Sequence, residues 1–268
     1  MIPFSIEVIH FVMLVITALF FKIPVFPVRI TVFRVWYRRY LNQIDYAQAL
    51  GWQRKLWEYV LQNDLPGIML FLEHNPVFTL GRSASRQHLL VGNDILQQEG
   101  ICVYEAERGG DITYHGPGQI VGYPIINLQF WQKDVHAFLR VLEEALILFL
   151  RRYRVEGFRL PPHTGVWVNR ENPEKIAAIG VAVRRWVTYH GFALNIIPNL
   201  SHFRYIIPCG IRDRGVTSLA RITGCAYSPE ERYTMQEHLA EAIGGAFGFE
   251  VEEMHEDLNT IFQRGRLS

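Results

Sequence analysis

Three closely spaced strand-like segments in the second half of the chain constrain its fold most. They cover residues 165–169, 175–183 and 186–196, with only a few residues between one segment and the next. Strands joined by such short connections pair antiparallel, because a parallel pair needs a crossover of about a dozen residues or more. This half of the chain is therefore predicted to form an antiparallel sheet.

Helical patterns alternate with further strands elsewhere. Helices are predicted at 46–61, from residue 134 onward, and from 229 to Gly244-Gly245. Asp45 and Asp134 are suited to cap the first two, and the third opens with a capping box, Ser228-Pro229-Glu230-Glu231. Strands are predicted at 68–73, 77–80, 102–107 and 119–128, the last carrying Pro124 and therefore expected near an edge or a bulge. The order predicts an α+β fold with a mixed, largely antiparallel sheet flanked by helices.

Composition narrows the class of protein. The 268 residues are 49% hydrophobic and 20% charged with a net charge of +1, which indicates a globular domain without a nucleic-acid signature. The three cysteines form no CxxC pair, which fits a reducing compartment, and a cytoplasmic location is expected. The ten histidines form no HExxH motif or zinc-spaced cluster, so no metal site is predicted.

The N-terminal segment, residues 1–34, differs from the rest of the chain. Fourteen uncharged residues, 8–21, are short for a membrane span, which needs about 20, and basic residues follow them. Three interpretations stay open: an extension outside the native enzyme, a weak membrane anchor, or an apolar segment folded onto the domain. The expected organisation is this extension, a catalytic domain at 35–250 and a C-terminal tail at 251–268.

The segment 108–119, RGGDITYHGPGQ, has the highest density of chemically informative residues. Its four glycines and one proline form a loop whose backbone can approach a ligand closely. It matches neither GxxxxGK[ST] nor GxGxxG, so it is not a phosphate loop. A wide structural turn with Arg108 and His115 on the surface is the alternative interpretation.

Two further residues stand out only in combination. Cys209 lies in a Pro-Cys-Gly turn, whereas a packing cysteine usually lies inside an apolar strand or helix. Lys175 begins a strand after Asn-Pro-Glu and, taken alone, is typical of a solvated surface lysine. The other cysteines, Cys102 and Cys225, are expected to be structural.

Five blocks of the sequence resemble the octanoyltransferase family in the family's own order. They are GRSAS at 81–85, RGGDITYHGPGQIVGYPI from Arg108, KIAAIGV at 175–181, HGFALN at 190–195, and PCGI followed by VTSL at 208–219. The resemblance runs from about residue 35 to about residue 248. It implies the fold of the biotin and lipoate protein ligase catalytic domains.

The resemblance also implies a role for each block. Cys209 matches the nucleophile that carries the acyl group as a thioester, and Lys175 matches the lysine that activates it. The implied substrate-binding residues are Arg108, Gly109, Gly110, Asp111, Ile112, Thr113, Tyr114, His115, Ala178, Ile179, Gly180, Gly191, Phe192 and Ala193. The implied donor is octanoyl-acyl carrier protein, and the acceptors are lipoyl domains of 2-oxoacid dehydrogenase complexes and glycine cleavage H protein. No cofactor, nucleic acid or metal is expected, and membrane contact could come only through residues 1–34.

Elementary chemistry supports a Cys/Lys pair. A thiolate both attacks and leaves well, but at its usual pKa of about 8.5 only a few per cent of a thiol is ionised at pH 7. An ammonium about 4 Å away offers roughly 4 kcal/mol at an effective dielectric near 20, before desolvation is subtracted. Lys175 is therefore expected to lower the pKa of Cys209, and once neutral to take a proton from the incoming amine.

Two other functions remain as alternatives. An ATP-dependent lipoate or biotin ligase shares the fold but needs no nucleophilic thiol, so Cys209 argues against it. A non-catalytic acyl-binding protein would not need both members of the pair. The roles of His115 and His190, as hydrogen-bonded organisers or as acid and base, stay open, as do chain-length preference and oligomeric state.

Overall fold

The computed structural model describes residues 33–208 and 214–264, which build two sheets and their flanking helices. The strands are β1 (Arg34–Ile44), β2 (Gly67–His74), β3 (Val77–Leu80), β4 (Cys102–Glu105), β5 (Ile112–His115), β6 (Gln119–Ile126), β7 (Phe158–Leu160), β8 (His163–Val168), β9 (Glu174–Arg184), β10 (Val187–Asn195), β11 (Gly215–Val216) and β12 (Glu250–Glu253). The helices are α1 (Tyr46–Gln62), α2 (Asn93–Gln98), α3 (Val135–Arg152), α4 (Leu219–Thr223), α5 (Pro229–Phe247) and α6 (Leu258–Arg264).

The large sheet has the order β12-β1-β2-β6-β10-β9-β8-β7, and β11 also pairs with β9. Pairing is antiparallel from β2 to β7, whereas β12, β1 and β2 are parallel neighbours and β11 runs parallel to β9. The predicted mixed, largely antiparallel sheet is therefore confirmed. The three segments singled out in the sequence are β8, β9 and β10, which pair antiparallel as expected.

Helices cover both faces of the large sheet, and the alternation of side chains along each strand assigns them. In β2, Met69 and Phe71 join the core that contains α3 and α5. Ile68 and Leu70 on the other face join the core with α1 and α6. A strand buried on both faces reads as a continuous apolar run, which is how this segment appears in the sequence.

The predicted helix starts are confirmed by their caps. The Asp45 carboxylate accepts hydrogen bonds from the backbone amides of residues 47 and 48 at 2.8 and 3.4 Å, and Asp134 caps α3. Ser228 and Glu231 form the reciprocal capping box at the start of α5. The predicted end of α5 is wrong, because the helix continues through Gly244 and Gly245 to Phe247.

Gly244 serves packing rather than termination. A Cβ at this position would lie 2.6 Å from a methyl group of Val251 in β12. The cap is Gly248, whose φ of +73° is the left-handed conformation that glycine adopts at no steric cost.

Pro124 is expected near an edge or a bulge, but it lies in an interior strand, so the edge position is wrong. β6 pairs with β2 from Val121 to Ile126, whereas its pairing with β10 is regular only from Gln119 to Gly122. Beyond Gly122, the Thr188 hydroxyl replaces the missing backbone hydrogen bonds. It donates to the Pro124 carbonyl at 2.6 Å and accepts from the Ile126 amide at 2.9 Å. A threonine side chain thus lets a strand that contains proline remain in the centre of the sheet.

The small sheet, of order β4-β3-β5, is a feature that the sequence analysis did not separate from the large one. β2 and β3 are only two residues apart, yet they belong to different sheets. The segment predicted as a strand at 102–107 is β4, shortened to Cys102–Glu105 and parallel to β3. The small sheet packs with α2 and residues 203–206 around its own apolar cluster.

The structure describes the two predicted terminal segments to different extents. Of the predicted extension at 1–34, residues 1–32 lie outside the described residues. The stretch assigned to a C-terminal tail contains most of β12, which pairs with β1, and α6, whose Leu258 and Ile261 are fully buried. Within residues 33–208 and 214–264, no helix has both the length and the apolar character needed to cross a membrane.

Replacing Thr188 with valine is expected to destabilise the fold. The isosteric change leaves the buried Ile126 amide without its acceptor, which costs about 1–3 kcal/mol of unfolding free energy in urea denaturation. The same change at exposed Thr234 serves as the control. Equal stabilities of the two variants would contradict this account of Pro124.

Candidate active site

The RGGD segment, residues 108–111, fastens the small sheet to the large one. The amide of Gly109 donates to the Val181 carbonyl in β9 at 2.9 Å. On its other side, the amides of residues 81, 82 and 83 donate to the carbonyls of residues 111, 108 and 110 at 3.3, 3.0 and 3.2 Å. The GRSAS block is therefore the backbone support of this loop. A Cβ at Gly81 would lie 2.2 Å from the Gly110 carbonyl oxygen, so only glycine permits this approach.

Arg108 is buried, so the alternative of a surface turn with exposed Arg108 and His115 is wrong. Only 8% of its surface is exposed, and Nη2 donates to the Thr79 carbonyl at 2.6 Å and to the Thr79 hydroxyl at 2.9 Å. Nη1 donates to the Gly109 carbonyl at 3.1 Å. A cation held by fixed dipoles thus lies beneath the glycine-rich loop.

The loop forms one wall of a small cavity of about 40 Å³, called here the loop cavity. It is lined by Tyr46, Arg108, Gly110, Asp111, Thr113, His115, Val121, Tyr123, Ala178, Ile179, Gly180, His190, Gly191, Phe192 and Ala193. The structure therefore brings together the predicted substrate-binding residues except Gly109, Ile112 and Tyr114.

Successive side chains of β5 point to opposite faces of the small sheet, which explains two of the three exceptions. Thr113 and His115 face the loop cavity, whereas Ile112 and Tyr114 point to the opposite side and pack in the apolar cluster of the small sheet. The Tyr114 hydroxyl bonds to His202 Nδ1 at 2.8 Å there. Gly109 borders a neighbouring cleft instead.

Lys175 lines a second and smaller cavity, of about 10 Å³, called here the lysine cavity. Thr113, Ala178 and Ala193 line both cavities, so the two are adjacent spaces along the same strands. Pro208 also lines the lysine cavity. Cys209 itself lies outside the described residues, but the residue directly before it shares a cavity wall with Lys175.

Lys175 is 7% exposed, so its interpretation as a solvated surface lysine is wrong. Its Nζ lies 4.8 Å from the centre of the Trp167 ring, a cation–π distance. Gly165 makes room beside it: this residue has a φ of +122°, and a Cβ there would lie 3.6 Å from Lys175 Cε and 2.5 Å from the Ala177 carbonyl. β8 and β9 thus hold the ammonium group of the lysine over an aromatic face.

The two histidines with open roles differ in bonding. His115 Nδ1 donates to Gln119 Oε1 at 2.8 Å, and Nε2 lies 3.2 Å from the Thr79 hydroxyl, so both ring nitrogens have partners. His190 is 2% exposed, and its Nε2 has no hydrogen-bond partner in the part of the chain that the structure describes. Its backbone amide is held by the Gln53 side chain at 2.9 Å. His115 is an organiser of the site, whereas His190 presents a buried polar atom to the loop cavity.

Burial keeps these imidazoles neutral. Desolvation lowers the pKa of His190 to about 4, and the nearby Arg108 cation lowers it further. Desolvation, with help from the neighbouring His74 and Arg108, also lowers the pKa of His115 well below its usual value.

Four residues at or near the cavity were missed in the sequence, namely Tyr46, His74, Val121 and Tyr123. His74 Nδ1 donates to the Ile44 carbonyl at 2.7 Å, which leaves Nε2 to accept from the Tyr123 hydroxyl at 2.6 Å. Tyr46 packs edge-on against His74. Nothing in the sequence marked these residues as functional, because an apolar or aromatic side chain on the buried face of a helix or strand is usually a core residue.

Residues 45–243 match the family model described as the lipoyl protein ligase A/B catalytic domain. Octanoyltransferase from Caldicellulosiruptor saccharolyticus is 43% identical over 225 residues, which cover 83% of this chain and 94% of that protein. Octanoyltransferase from Solibacter usitatus is 50% identical over 198 residues, covering 73% of this chain and 88% of that protein. The chain belongs to the octanoyltransferase family.

Solved structures show the fold of this octanoyltransferase family member. A bipartite lipoate protein ligase from Thermoplasma acidophilum superimposes with a TM-score of 0.62 at 14% identity, over 87% of this chain and 91% of that one. Lipoate-protein ligase A bound with ATP gives a TM-score of 0.61 at 15% identity, over 85% and 92%. The predicted ligase-like fold is confirmed.

The remaining cysteines lie away from the core of the octanoyltransferase fold. Cys102 and Cys225, which are predicted to be structural, are both exposed. Among the described residues, no group of three or more His, Cys, Asp or Glu side chains is arranged to hold a metal ion.

The free energy of unfolding is expected to fall as the pH decreases from about 6.5 to 4. Desolvation lowers the pKa of His74 to about 4, so in this window the unfolded chain binds a proton that the folded chain excludes. His74 alone then contributes about 3 kcal/mol that is present above pH 6.5 and lost on acidification. Urea titrations across this range should show a shallower pH dependence in His74→Gln, while exposed His136→Gln keeps the wild-type slope. Identical slopes in all three proteins would contradict the assignment.

Proposed function

We propose that this protein transfers an octanoyl group from octanoyl-acyl carrier protein to a lysine of lipoyl domains, through a thioester on Cys209. The acyltransferase activity follows from the family to which the chain belongs. The thioester, the carrier donor and the residue roles are the proposed part. A cytoplasmic location belongs to the same proposal, since exposed Cys102 and Cys225 suit a reducing compartment.

One observation carries the assignment of the site: Lys175 and Pro208 line a cavity that shares walls with the loop cavity. A thiol at residue 209 would then be close to both the lysine and an acyl chain bound along β9 and β10. The predicted pair is 34 residues apart in sequence, and only the fold could bring these segments together.

The proposed binding mode follows from the cavity walls. Val121, Ile179 and Phe192 provide apolar surface for an octanoyl chain. The unpartnered Nε2 of His190 and the guanidinium of Arg108 lie in the same wall and could bond to polar atoms of the thioester. Removal of water from this site would strengthen such bonds.

The proposed reaction has two steps. The Cys209 thiolate attacks the donor carbonyl, forms a new C–S bond and expels the carrier thiolate, which takes a proton from the Lys175 ammonium and leaves that amine neutral. The lysine amine of the lipoyl domain then attacks the enzyme thioester, an amide forms, and the Cys209 thiolate leaves. Lys175 is proposed to stabilise the thiolate in both steps and, when neutral, to accept the proton of the attacking amine.

An ATP-dependent ligase is the second candidate, because the lipoate ligases share this fold. Fold likeness at 14–15% identity does not carry their chemistry to this chain. Independence from ATP is therefore part of the first test.

Incubation with octanoyl-acyl carrier protein in the absence of ATP is expected to add one octanoyl group to the protein, as seen by intact mass spectrometry. Cys209→Ser should abolish this adduct, whereas a Cys102→Ser/Cys225→Ser double variant should retain it because both of those thiols are exposed and line neither cavity. An adduct unchanged in Cys209→Ser would falsify the nucleophile assignment. A product that appears only with ATP would favour the ligase.

Lys175→Ala is expected to raise the pH midpoint for alkylation of Cys209 by about one unit, because a nearby cation stabilises the thiolate. Acylation at pH 7 should then slow by about tenfold, while exposed Lys133→Ala behaves as wild type.

Lys175→Arg separates the two roles of the lysine. It keeps the cation but cannot accept a proton, so alkylation should stay near wild type while transfer to the lipoyl domain slows. Lys175→Ala with an unchanged alkylation profile would exclude the proposed pair.

A further inference from the structure

Two segments far apart in sequence meet at His88. Residues 88–90 run antiparallel to residues 205–207, with a bridge between Leu89 and Ile206. The His88 carbonyl accepts from the Ile207 amide at 2.8 Å, and the Leu90 amide donates to the Tyr205 carbonyl at 2.8 Å. Residues 205–207 directly precede Pro208 and Cys209 in the sequence.

The His88 side chain reaches in a different direction, to the RGGD segment. Its Nδ1 lies 2.5 Å from Oδ2 of Asp111. The other oxygen of this carboxylate, Oδ1, accepts from the Ile112 amide at 2.7 Å. Asp111 is 8% exposed, and the His88 side chain is 25% exposed. A nearly buried carboxylate is thus held by one side-chain donor and one backbone donor.

The two ends of this connection lie at the two cavities. Asp111 is part of the wall of the loop cavity. Ile207 immediately precedes Pro208, which is part of the wall of the lysine cavity. His88 itself lines neither of these two cavities, so it would act through Asp111 and Ile207.

We infer that His88 is a positioning residue that couples the RGGD loop to the segment carrying Cys209. The inference rests on the proposed function, because His88 would hold the acyl-binding loop and the residues that precede the nucleophile in register. The His88 side chain orients Asp111, and the same residue's carbonyl orients the chain two residues before Cys209. Nucleophilic attack depends steeply on the position of the reacting atoms, so a small misplacement slows acylation.

Two substitutions test the side-chain half of the connection. His88→Ala removes the donor to Asp111 and leaves the backbone carbonyl in place. His88→Asn restores a donor, since its amide nitrogen is separated from Cα by the same number of bonds as imidazole Nδ1. His136→Ala, at an exposed position of α3, is the matched control.

Single-turnover acylation at saturating donor is expected to slow by about tenfold in His88→Ala. His88→Asn should return the rate to within about threefold of wild type, and the control should not differ from wild type. A donor affinity that falls while the saturated rate is unchanged, or a His88→Asn variant no better than His88→Ala, would overturn the positioning role.

Native-state hydrogen exchange tests the coupling without any use of the activity. In His88→Ala the amides of Ile112 and Ile207 should both exchange faster, whereas the amide of Ala137, bonded to Asp134, should be unchanged. Acceleration at only one of the first two amides would show that the ends are independent and would overturn the coupling. If the wild-type protein formed no octanoyl adduct, the proposed function would fail, and this exchange pattern would still decide whether His88 connects the two segments.

Discussion

The attachment of the RGGD loop to both sheets is the constraint on which the rest of the site depends. Its backbone bonds to β9 of the large sheet through Gly109 and to the end of the small sheet through residues 81–83. Arg108 completes the junction from below by donating to Thr79 in β3. This junction fixes the RGGD loop against β9, where it forms one wall of the loop cavity.

Close backbone approach at this junction requires glycine at particular positions of the sequence. Gly81 and Gly180 lie where a Cβ would collide with the loop, at 2.2 Å from the Gly110 carbonyl oxygen and 2.8 Å from the Gly109 carbonyl oxygen. Four of the described motif glycines, Gly81, Gly118, Gly180 and Gly191, are thus required for close packing of main chain against main chain. The cavity is what remains where small residues and glycines replace the side chains that would otherwise fill the space between the sheets.

Burial determines the charge state of the site. The pKa of His74, His115 and His190 is lowered mainly by desolvation, so these rings are neutral at pH 7. Arg108 is buried with its guanidinium bonded to carbonyl and hydroxyl oxygens, and so provides a fixed positive charge rather than a proton. In the proposed mechanism, proton transfer is therefore assigned to Lys175. This residue lines the adjacent lysine cavity, and its Nζ lies over the Trp167 ring.

Local sequence signals determined much about this protein by themselves. The caps at Asp45, Asp134 and Ser228, the antiparallel β8, β9 and β10, and the glycine-rich loop follow from short-range rules of hydrogen bonding, side-chain alternation and backbone sterics. The family blocks also pointed to most of the residues that line the loop cavity.

Only the tertiary structure decided what depends on contacts between distant segments. Pro124 could enter an interior strand because Thr188, distant in sequence, satisfies the neighbouring backbone groups. Gly244 lies inside helix α5 rather than at its end, because Val251 occupies the space that a side chain at this position would need. The division into two sheets directed Ile112 and Tyr114 away from the cavity, buried Lys175 and brought His88 between Asp111 and Ile207. None of these outcomes has a local signal, since each is set by which surfaces and polar groups the folded chain brings into contact.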